Sequence, residues 1–249
     1  TGDGVNDAPA LKQAQVGIAV SNATDVAKAS ASLVLTRPGL GDMIAAIEVS
    51  RQIYQRMLTY TLNKVIKTIQ VSAFLSLGLM FTGVLVTTPL LVVLLLFAND
   101  FVTMAIATDR VRASRKPDRW DIRAMLIPAL ILALPVWLLT FGVFLIGRYL
   151  LQLPLASLQT LSFITLVFTA QGMVYLVRER HACWSSRPSR WLLLASALAV
   201  TTVSGLASFG ILMQAIPWTL ILTTLAATAL FLLALDGLKV WAFRIFNLH

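Results

Sequence analysis

The sequence predicts an α-helical polytopic membrane protein with six transmembrane helices, preceded by the C-terminal part of an α/β domain. Of its 249 residues, 58% are hydrophobic and only 12% are charged, whereas soluble domains are about 45–50% apolar and about 25% charged. Six long apolar stretches follow one another along most of the chain, while the first 56 residues are mixed and polar. We therefore expect a membrane domain over residues 57–249 and an α/β region with a linker helix over residues 1–56.

The six apolar stretches have the length of membrane-spanning helices. A helix needs about 20 apolar residues to cross a hydrocarbon core about 30 Å thick. Backbone groups inside lipid must bond to one another, and the sequence lacks the short alternating segments of a β-barrel, so helices are the expected form. The predicted spans lie near residues 68–86, 89–107, 125–147, 155–177, 191–213 and 217–235.

The net charge of +9 is concentrated in two connections between these stretches. Loops rich in Lys and Arg stay on the cytoplasmic side, so both ends of the chain are expected in the cytoplasm. The positive charge then faces membrane lipid, and no nucleic-acid partner is needed to explain it. The basic residues are Arg110, Arg112, Arg115, Lys116, Arg119 and Arg123 in the second connection and Arg178, Arg180, Arg187 and Arg190 in the fourth.

Residues 1–56 have the pattern of the end of an α/β domain. QVGIAV and ASLVLT are short β-rich runs, and TDVAKAS between them predicts a helix capped by Asn22 or Thr24. A longer helix, capped around Asp42, is then expected to run toward the first apolar stretch.

The opening loop, TGDGVNDAPAL, stands where parallel-sheet domains place their ligands, beyond a strand and before a helix. Its glycines permit a tight turn, and Asp3 and Asp7 present hard carboxylate oxygens. Mg²⁺ in proteins is typically bound by one or two carboxylates together with phosphate oxygens and water. On this chemistry alone, a magnesium-phosphate site and a plain turn with a helix cap are both open.

Asp100 is the candidate ion-carrying residue, because it lies near the middle of its apolar stretch. An ionisable side chain at that depth costs a few kcal/mol and is by default a functional candidate; the alternative is a structural, neutral carboxyl. Asn99 and Thr103 are expected to bond to it or to open the helix. One deep carboxylate suits a proton better than Ca²⁺, which takes six to eight oxygen ligands.

Other polar residues of the membrane region have less certain roles. Lys64 and Lys67 precede the first apolar stretch, and Gln70 lies one turn further in. Lys67 is expected either to act beside Gln70 or, as the favoured interpretation, to extend toward the cytoplasmic interface. Asp109 and Asp236, near Arg110 and Lys239, are expected to be solvated charges at the ends of their stretches.

The motif TGDGVNDAPAL resembles, residue for residue, the hinge motif of the P-type ATPases. The similarity continues through VGIAV, TDVAKASASLVLT and RQIYQRMLTY, and FANDFVTMAIATDRVRASRKPDRW most resembles the proton-pumping branch of plasma membranes. It is close over about residues 1–125 and rests on the number of helices beyond them.

The resemblance implies that residues 1–56 end a haloacid dehalogenase-like phosphorylation domain and that the rest supplies the last six helices of a pump. It implies Asp3 as a Mg²⁺ ligand, with Asp7 and Asn6 ordering the phosphate site beside it, and Asp100 as the proton acceptor and donor. ATP and Mg²⁺ are the implied cofactors, bound mainly by upstream parts of the same pump that this sequence lacks. Many proton pumps have an Arg where Gln70 falls, and this departure leaves the proton-release step open.

The expected function is that of the C-terminal half of an ATP-driven cation-transporting ATPase in the plasma membrane, exporting protons. A pump for Ca²⁺, Na⁺ or Mg²⁺ is the alternative within the family. A non-catalytic membrane scaffold that keeps half of the pump fold is the alternative outside it. A heavy-metal pump is disfavoured, because the predicted spans contain no cysteine ligand.

Overall fold

A computed structural model describes residues 1–39, 41–114 and 120–246. The chain divides into two compact units, Thr1–Ile53 and Tyr54–His249, three residues before the expected boundary. Arg115, Lys116 and Arg119, used above to orient the membrane domain, lie outside the described residues.

The first unit is a small α/β structure. Helix α1 (Ala8–Gln13) is followed by strand β1 (Ile18–Ala19), helix α2 (Asp25–Ser30) and strand β2 (Leu33–Val34). The two strands pair in parallel, and Gly2 forms a further parallel bridge to Ala19. The opening loop therefore leaves directly from the edge of this sheet.

A small apolar core and one capped helix stabilise the first unit. Leu11, Ala19 and Ala27 are buried against one another. Thr24 is the N-cap of α2, because its hydroxyl oxygen accepts a hydrogen bond from the Ala27 amide at 3.4 Å. This selects Thr24 over Asn22 from the two predicted caps.

Helix α3 (Gly41–Thr82) joins the predicted linker helix and the first predicted span into one element of 42 residues. At 1.5 Å per residue it is about 63 Å long, roughly twice the hydrocarbon thickness of a bilayer. It ends at Thr82 and not at residue 86, because Gly83 adopts a left-handed conformation with φ +68° that stops helical bonding.

Five further long helices follow α3. They are α4 (Pro89–Ala105), α5 (Ile122–Leu145), α6 (Leu155–Val177), α7 (Arg190–Phe209) and α8 (Trp218–Ile245). Short 3₁₀ and π turns, Ile106–Thr108 and Ile146–Leu150, extend α4 and α5. Helix α7 stops at Gly210, in the left-handed region, and α8 continues about ten residues beyond its predicted end.

Helix α6 is the centre of the membrane unit. Its apolar window is 89% buried, against 22–33% for the other five spans, and it contacts α4, α5, α7 and α8. Several of its hydroxyl groups bond to its own backbone, as Ser162 does to the Leu158 carbonyl and Thr165 to the Leu161 carbonyl. Within the part of the chain that the structure describes, six helices are long and apolar enough to cross a membrane, which confirms the predicted fold class.

Gly17 is a position where the first unit tolerates no side chain. A Cβ atom there would lie 2.2 Å from the Leu11 carbonyl oxygen, which is backbone. Gly17→Ala should therefore displace α1 from β1, at a cost of about 1–3 kcal/mol for overpacking. Hydrogen exchange of residues 1–38 should become faster in this variant.

Gly41→Ala is the matched control, because nothing lies within 4 Å of a Cβ atom built at Gly41. Its exchange over residues 1–38 should match that of the unmodified protein. Equal exchange in the two variants would contradict the packing described for Gly17.

Candidate functional site

The opening loop is folded around the carboxylate of Asp7. The backbone amides of Asp3 and Gly4 donate hydrogen bonds to Asp7 Oδ2, at 2.8 and 3.0 Å. Gly2 leaves room for this arrangement, because a Cβ atom there would lie 2.5 Å from Asp7 Cβ. The turn therefore requires both Gly2, at the edge of the sheet, and the carboxylate of Asp7.

Asp7 is ionised in this loop. The amide hydrogen bonds from Gly4 and then Asp3 hold the pKa of the Asp7 carboxyl below its usual range. A carboxyl with a lowered pKa contributes this bonding above its ordinary pKa and loses it as the pH falls through the lowered value. The loop geometry is therefore fully present at neutral pH.

The residues of the opening loop differ in whether their side-chain oxygens can bind a ligand. The plain-turn interpretation accounts for Asp7 Oδ2, which is occupied by two amides, but it gives Asp3 no role. The side chains of Asp3 and Asn6 are exposed, and the Asp3 side chain contributes to the lowered pKa of Asp7. The donor set that remains, the Asp3 carboxylate with the second oxygen of Asp7, consists of the hard oxygens that Mg²⁺ prefers.

Asp100 lies on α4 and forms an ion pair with Lys64 of α3. Lys64 Nζ is 2.8 Å from Asp100 Oδ1, and the two side chains are 35% and 56% exposed. Lys64 was not predicted as the partner, because 36 residues separate it from Asp100. Its only sequence signal is its place one turn before an apolar stretch.

Asn99 and Thr103 do not bond to Asp100, contrary to expectation. Asn99 Nδ2 donates to the Leu95 carbonyl at 2.7 Å, and Thr103 Oγ1 donates to the Asn99 carbonyl at 2.6 Å. Both are buried. Successive helical residues point about 100° apart, so Asp100 lies on a different, more exposed face of α4.

Gln70 occupies a buried polar cluster away from Asp100. Its Nε2 atom donates to Thr140 Oγ1 of α5 at 2.8 Å and to Thr169 Oγ1 of α6 at 2.9 Å. Gln70 therefore links three helices. Lys67 is also buried, at 8% exposure, and its extension toward the interface stays a prediction.

A second buried amide connects α6 with the helix that carries Asp100. Gln171 Nε2 donates to the Ala98 carbonyl at 3.3 Å and lies 3.4 Å from Asn99 Oδ1. Asn99 thus has a helix-positioning role in this structure: one side of its amide bonds within α4, and the other faces α6.

Asp109 and Asp236 are buried ion-pair residues, and the expectation that they are solvated is wrong. Asp109 Oδ2 lies 2.7 Å from Arg178 Nε, with both side chains at most 2% exposed. Asp236 Oδ1 lies 2.8 Å from Lys239 Nζ, with exposures of 4% and 0%. Sequence proximity suggested Arg110 for Asp109, but its partner is 69 residues away.

The surrounding backbone completes these two pairs. The Ser189 amide donates to Asp109 Oδ1 at 2.9 Å, and the Cys183 amide donates to Asp236 Oδ1 at 3.2 Å. Arg178 Nη1 donates to the Ser186 carbonyl at 2.9 Å. The loop between α6 and α7 therefore folds over both pairs and removes them from solvent.

Arg178 should be essential for the stability of the membrane unit. Arg178→Met leaves the Asp109 carboxylate buried without its cation, and breaking a buried pair in this way typically costs about 3–5 kcal/mol. The thermal unfolding midpoint of the detergent-solubilised protein should fall clearly. Arg178→Met combined with Asp109→Asn should recover part of the loss, because no unpaired charge remains.

Arg187→Met is the control, since the Arg187 side chain is exposed and only its carbonyl contacts Arg178. Its unfolding midpoint should change little. If Arg178→Met and Arg187→Met were equally stable, the buried pair would not have the structural role assigned to it.

Comparison with known proteins adds an independent line of evidence. Residues 1–38 match the haloacid dehalogenase-like hydrolase family. The chain is 37% identical over 242 residues to a putative cation-transporting ATPase of Methanocaldococcus jannaschii, covering 96% of this chain and 30% of that protein.

Two fungal proteins give a similar result. Identity is 35% to the plasma membrane ATPase of Kluyveromyces lactis and 34% to plasma membrane ATPase 1 of Saccharomyces cerevisiae, each over 208 residues and 82% of this chain. The aligned part covers 23% and 22% of those proteins. The chain thus spans less than a third of the length of these curated relatives.

Proposed function

The chain belongs to the P-type cation-transporting ATPases, and we propose that it is part of an ATP-driven pump that exports protons through Asp100. In this proposal, residues 1–53 complete the phosphorylation domain and the six long helices form part of the transport domain. The helix ends that carry the basic loops face the cytoplasm, in accordance with the positive-inside rule.

The observation that carries the proton assignment is the Lys64–Asp100 ion pair. Of the carboxylates that the structure describes on the spanning helices, Asp100 is the one near the middle of an apolar stretch. Asp42 and Glu48 lie near the start of α3, and Asp236 lies toward the end of α8, paired with Lys239. One carboxylate facing one ammonium supplies too few oxygens for Ca²⁺. A group that gains and loses a single proton needs no more than this.

The ion pair also suggests how the proton moves. When the Asp100 carboxylate takes up a proton it becomes neutral, and its attraction to the Lys64 ammonium is reduced to a charge–dipole contact. After the proton has left Asp100, its carboxylate pairs with the Lys64 ammonium again.

Lys64 supplies, from a different turn of the helix, the charge that the sequence lacks at Gln70. Gln70 is held by two threonines and has no charge to offer. Lys64 lies six residues earlier on α3 and reaches Asp100 directly. We therefore assign Lys64, and not Lys67 or Gln70, as the partner in proton release.

The loop residues act in phosphoryl transfer in this proposal. Asp3, with the free oxygen of Asp7, would hold Mg²⁺, which neutralises charge on the transferring phosphoryl group when it is bound. Asp7 Oδ2 fixes the turn, and the exposed Asn6 amide is available to a phosphate oxygen. Plain turn chemistry explains only the part played by Asp7.

Asp3→Asn tests the loop assignment in the full-length protein. The change keeps the size of the side chain but removes its charge, so phosphoenzyme formation from ATP should fall by at least about tenfold. Acid-stable incorporation of labelled phosphate measures this. Asp25→Asn, at an exposed site in the first turn of α2, should keep normal labelling, and normal labelling of the Asp3 variant would refute the assignment.

Asp100→Asn tests the proton assignment. The full-length variant should still form phosphoenzyme but should not acidify inside-out vesicles in the presence of ATP, because Asn cannot titrate. Lys64→Gln should slow acidification without abolishing phosphorylation. Robust acidification by Asp100→Asn would remove Asp100 as the carrier.

Asp121→Asn is the matched control for this experiment. Asp121 caps α5 by accepting from the Arg123 and Ala124 amides, and Asn is an equally good cap, so proton uptake should be unchanged. If the wild-type ATPase activity required Ca²⁺ or Na⁺ in addition to Mg²⁺, that cation and not the proton would be the transported ion.

A further inference from the structure

A basic cavity lies where the ends of α4 and α6 meet. Its volume is about 430 Å³, within the range of sites that hold small molecules. One wall is residues 110–114, which follow the turn after α4, and another is residues 178–181, which follow α6. Gln55 of α3 and Ser185 complete the lining.

The charges that line this cavity are predominantly positive. Four guanidinium groups face a single lining carboxylate, that of Glu179. Arg178 is neutralised by Asp109. Arg110 and Arg112 are exposed and have no ion pair among the described residues. The fourth guanidinium is that of Arg180.

Arg180 is held in place by several contacts. Its Nη1 atom donates to the Val177 carbonyl at 2.6 Å, and its guanidinium lies 5.7 Å from the centre of the Phe243 ring. A guanidinium held in this way is already ordered before a ligand arrives. Planar guanidinium groups bind phosphate oxygens through two parallel hydrogen bonds.

Glu179 does not cancel this positive charge. The Ser186 hydroxyl donates to Glu179 Oε2, and His181 Nδ1 lies 3.8 Å from Oε1. Burial raises the pKa of Glu179, but the Ser186 hydroxyl and the amides of His181 and Arg180 outweigh it, so the pKa is lowered. Glu179 contributes one negative charge, which leaves Arg110 and Arg112 uncompensated among the residues that the structure describes.

We propose that this cavity binds the phosphate headgroup of an anionic phospholipid from the leaflet on that side of the membrane. The position favours a lipid over a soluble anion: Arg178 directly follows the last residue of α6, and Arg110 lies two residues after the turn that ends α4. The cavity is therefore at headgroup level for helices that lie in a bilayer. Basic pockets at the ends of transmembrane helices are suited to such headgroups.

Apolar residues at the same level are consistent with this position. Val111 and Ala113 line the cavity beside the arginines, and Trp184, in the loop between α6 and α7, is 72% exposed. Tryptophan favours the membrane–water interface. This inference requires only that the six helices lie in a bilayer, and it does not depend on proton transport.

The test measures lipid binding by the full-length protein in detergent. Phosphatidylglycerol in mixed micelles with phosphatidylcholine is the probe, and native mass spectrometry counts the bound molecules. The Arg110→Gln/Arg112→Gln variant should bind phosphatidylglycerol at least about tenfold more weakly, because two charge-assisted contacts are lost. Phosphatidylcholine binding should not change.

Arg187→Gln/Arg190→Gln is the matched control. Both residues are exposed, lie at or just before the start of α7 and are outside the cavity. Their replacement removes the same two positive charges. This variant should keep its bound phosphatidylglycerol. Equal losses in the two variants would show general attraction to a basic surface and overturn the proposal.

A competition experiment with inorganic phosphate distinguishes a lipid headgroup from a soluble phosphate anion as the ligand of the cavity. Millimolar inorganic phosphate should not displace phosphatidylglycerol, and displacement with retention of phosphate would assign the cavity to a soluble anion instead. Arg112→Gln alone should give an intermediate loss, which keeps the test informative if the double variant unfolds. Full retention of lipid by Arg112→Gln and by the folded double variant would also overturn the proposal.

Discussion

Pairing of charge in a low-dielectric environment is the constraint on which the rest of this membrane unit depends. Removing an ion from water costs several kcal/mol, and the cost is recovered only when a partner and further hydrogen bonds are present. Three carboxylates at or within the spanning helices each meet a cation: Asp100 with Lys64, Asp109 with Arg178 and Asp236 with Lys239. The loop between α6 and α7 folds over the Asp109 and Asp236 pairs and donates backbone hydrogen bonds to both carboxylates.

The three pairs differ in how tightly they are enclosed, and the proposed function follows from that difference. Asp109 and Asp236 are held by backbone amides as well as by their cations, so neither can change its partner without unfolding a loop. The Asp100 carboxylate has a flexible lysine and a half-exposed position. A carrier must exchange protons and partners, and only Asp100 has that freedom. The proposed transport therefore uses the exposed pair, and the two buried pairs keep the helices in register.

Local sequence signals predicted the elements well, and long-range contacts were not predictable in the same way. The bounds of α6, the Thr24 cap and the parallel β-runs each depend on neighbouring residues. Two of the three ion pairs join residues 36 and 69 positions apart, which no single-sequence pattern identifies. Asp109 and Asp236 looked solvated because each has a basic neighbour in sequence. They are buried because the loop between α6 and α7 covers them. The opening motif identified its family before any geometry was known, but only the structure showed that Asp7 fixes the turn through the Asp3 and Gly4 amides.

The central claim is that Asp100 gains and loses a proton during the cycle, and infrared difference spectroscopy tests it most directly. Release of ATP from a caged precursor starts the cycle in the full-length protein, and the carboxyl C=O stretching region reports protonation. If Asp100 carries the proton, a band of a protonated carboxyl group should appear and disappear with turnover, and it should be absent from Asp100→Asn. The same band in Asp100→Asn, or no carboxyl change in the unmodified protein during proton transport, would contradict it.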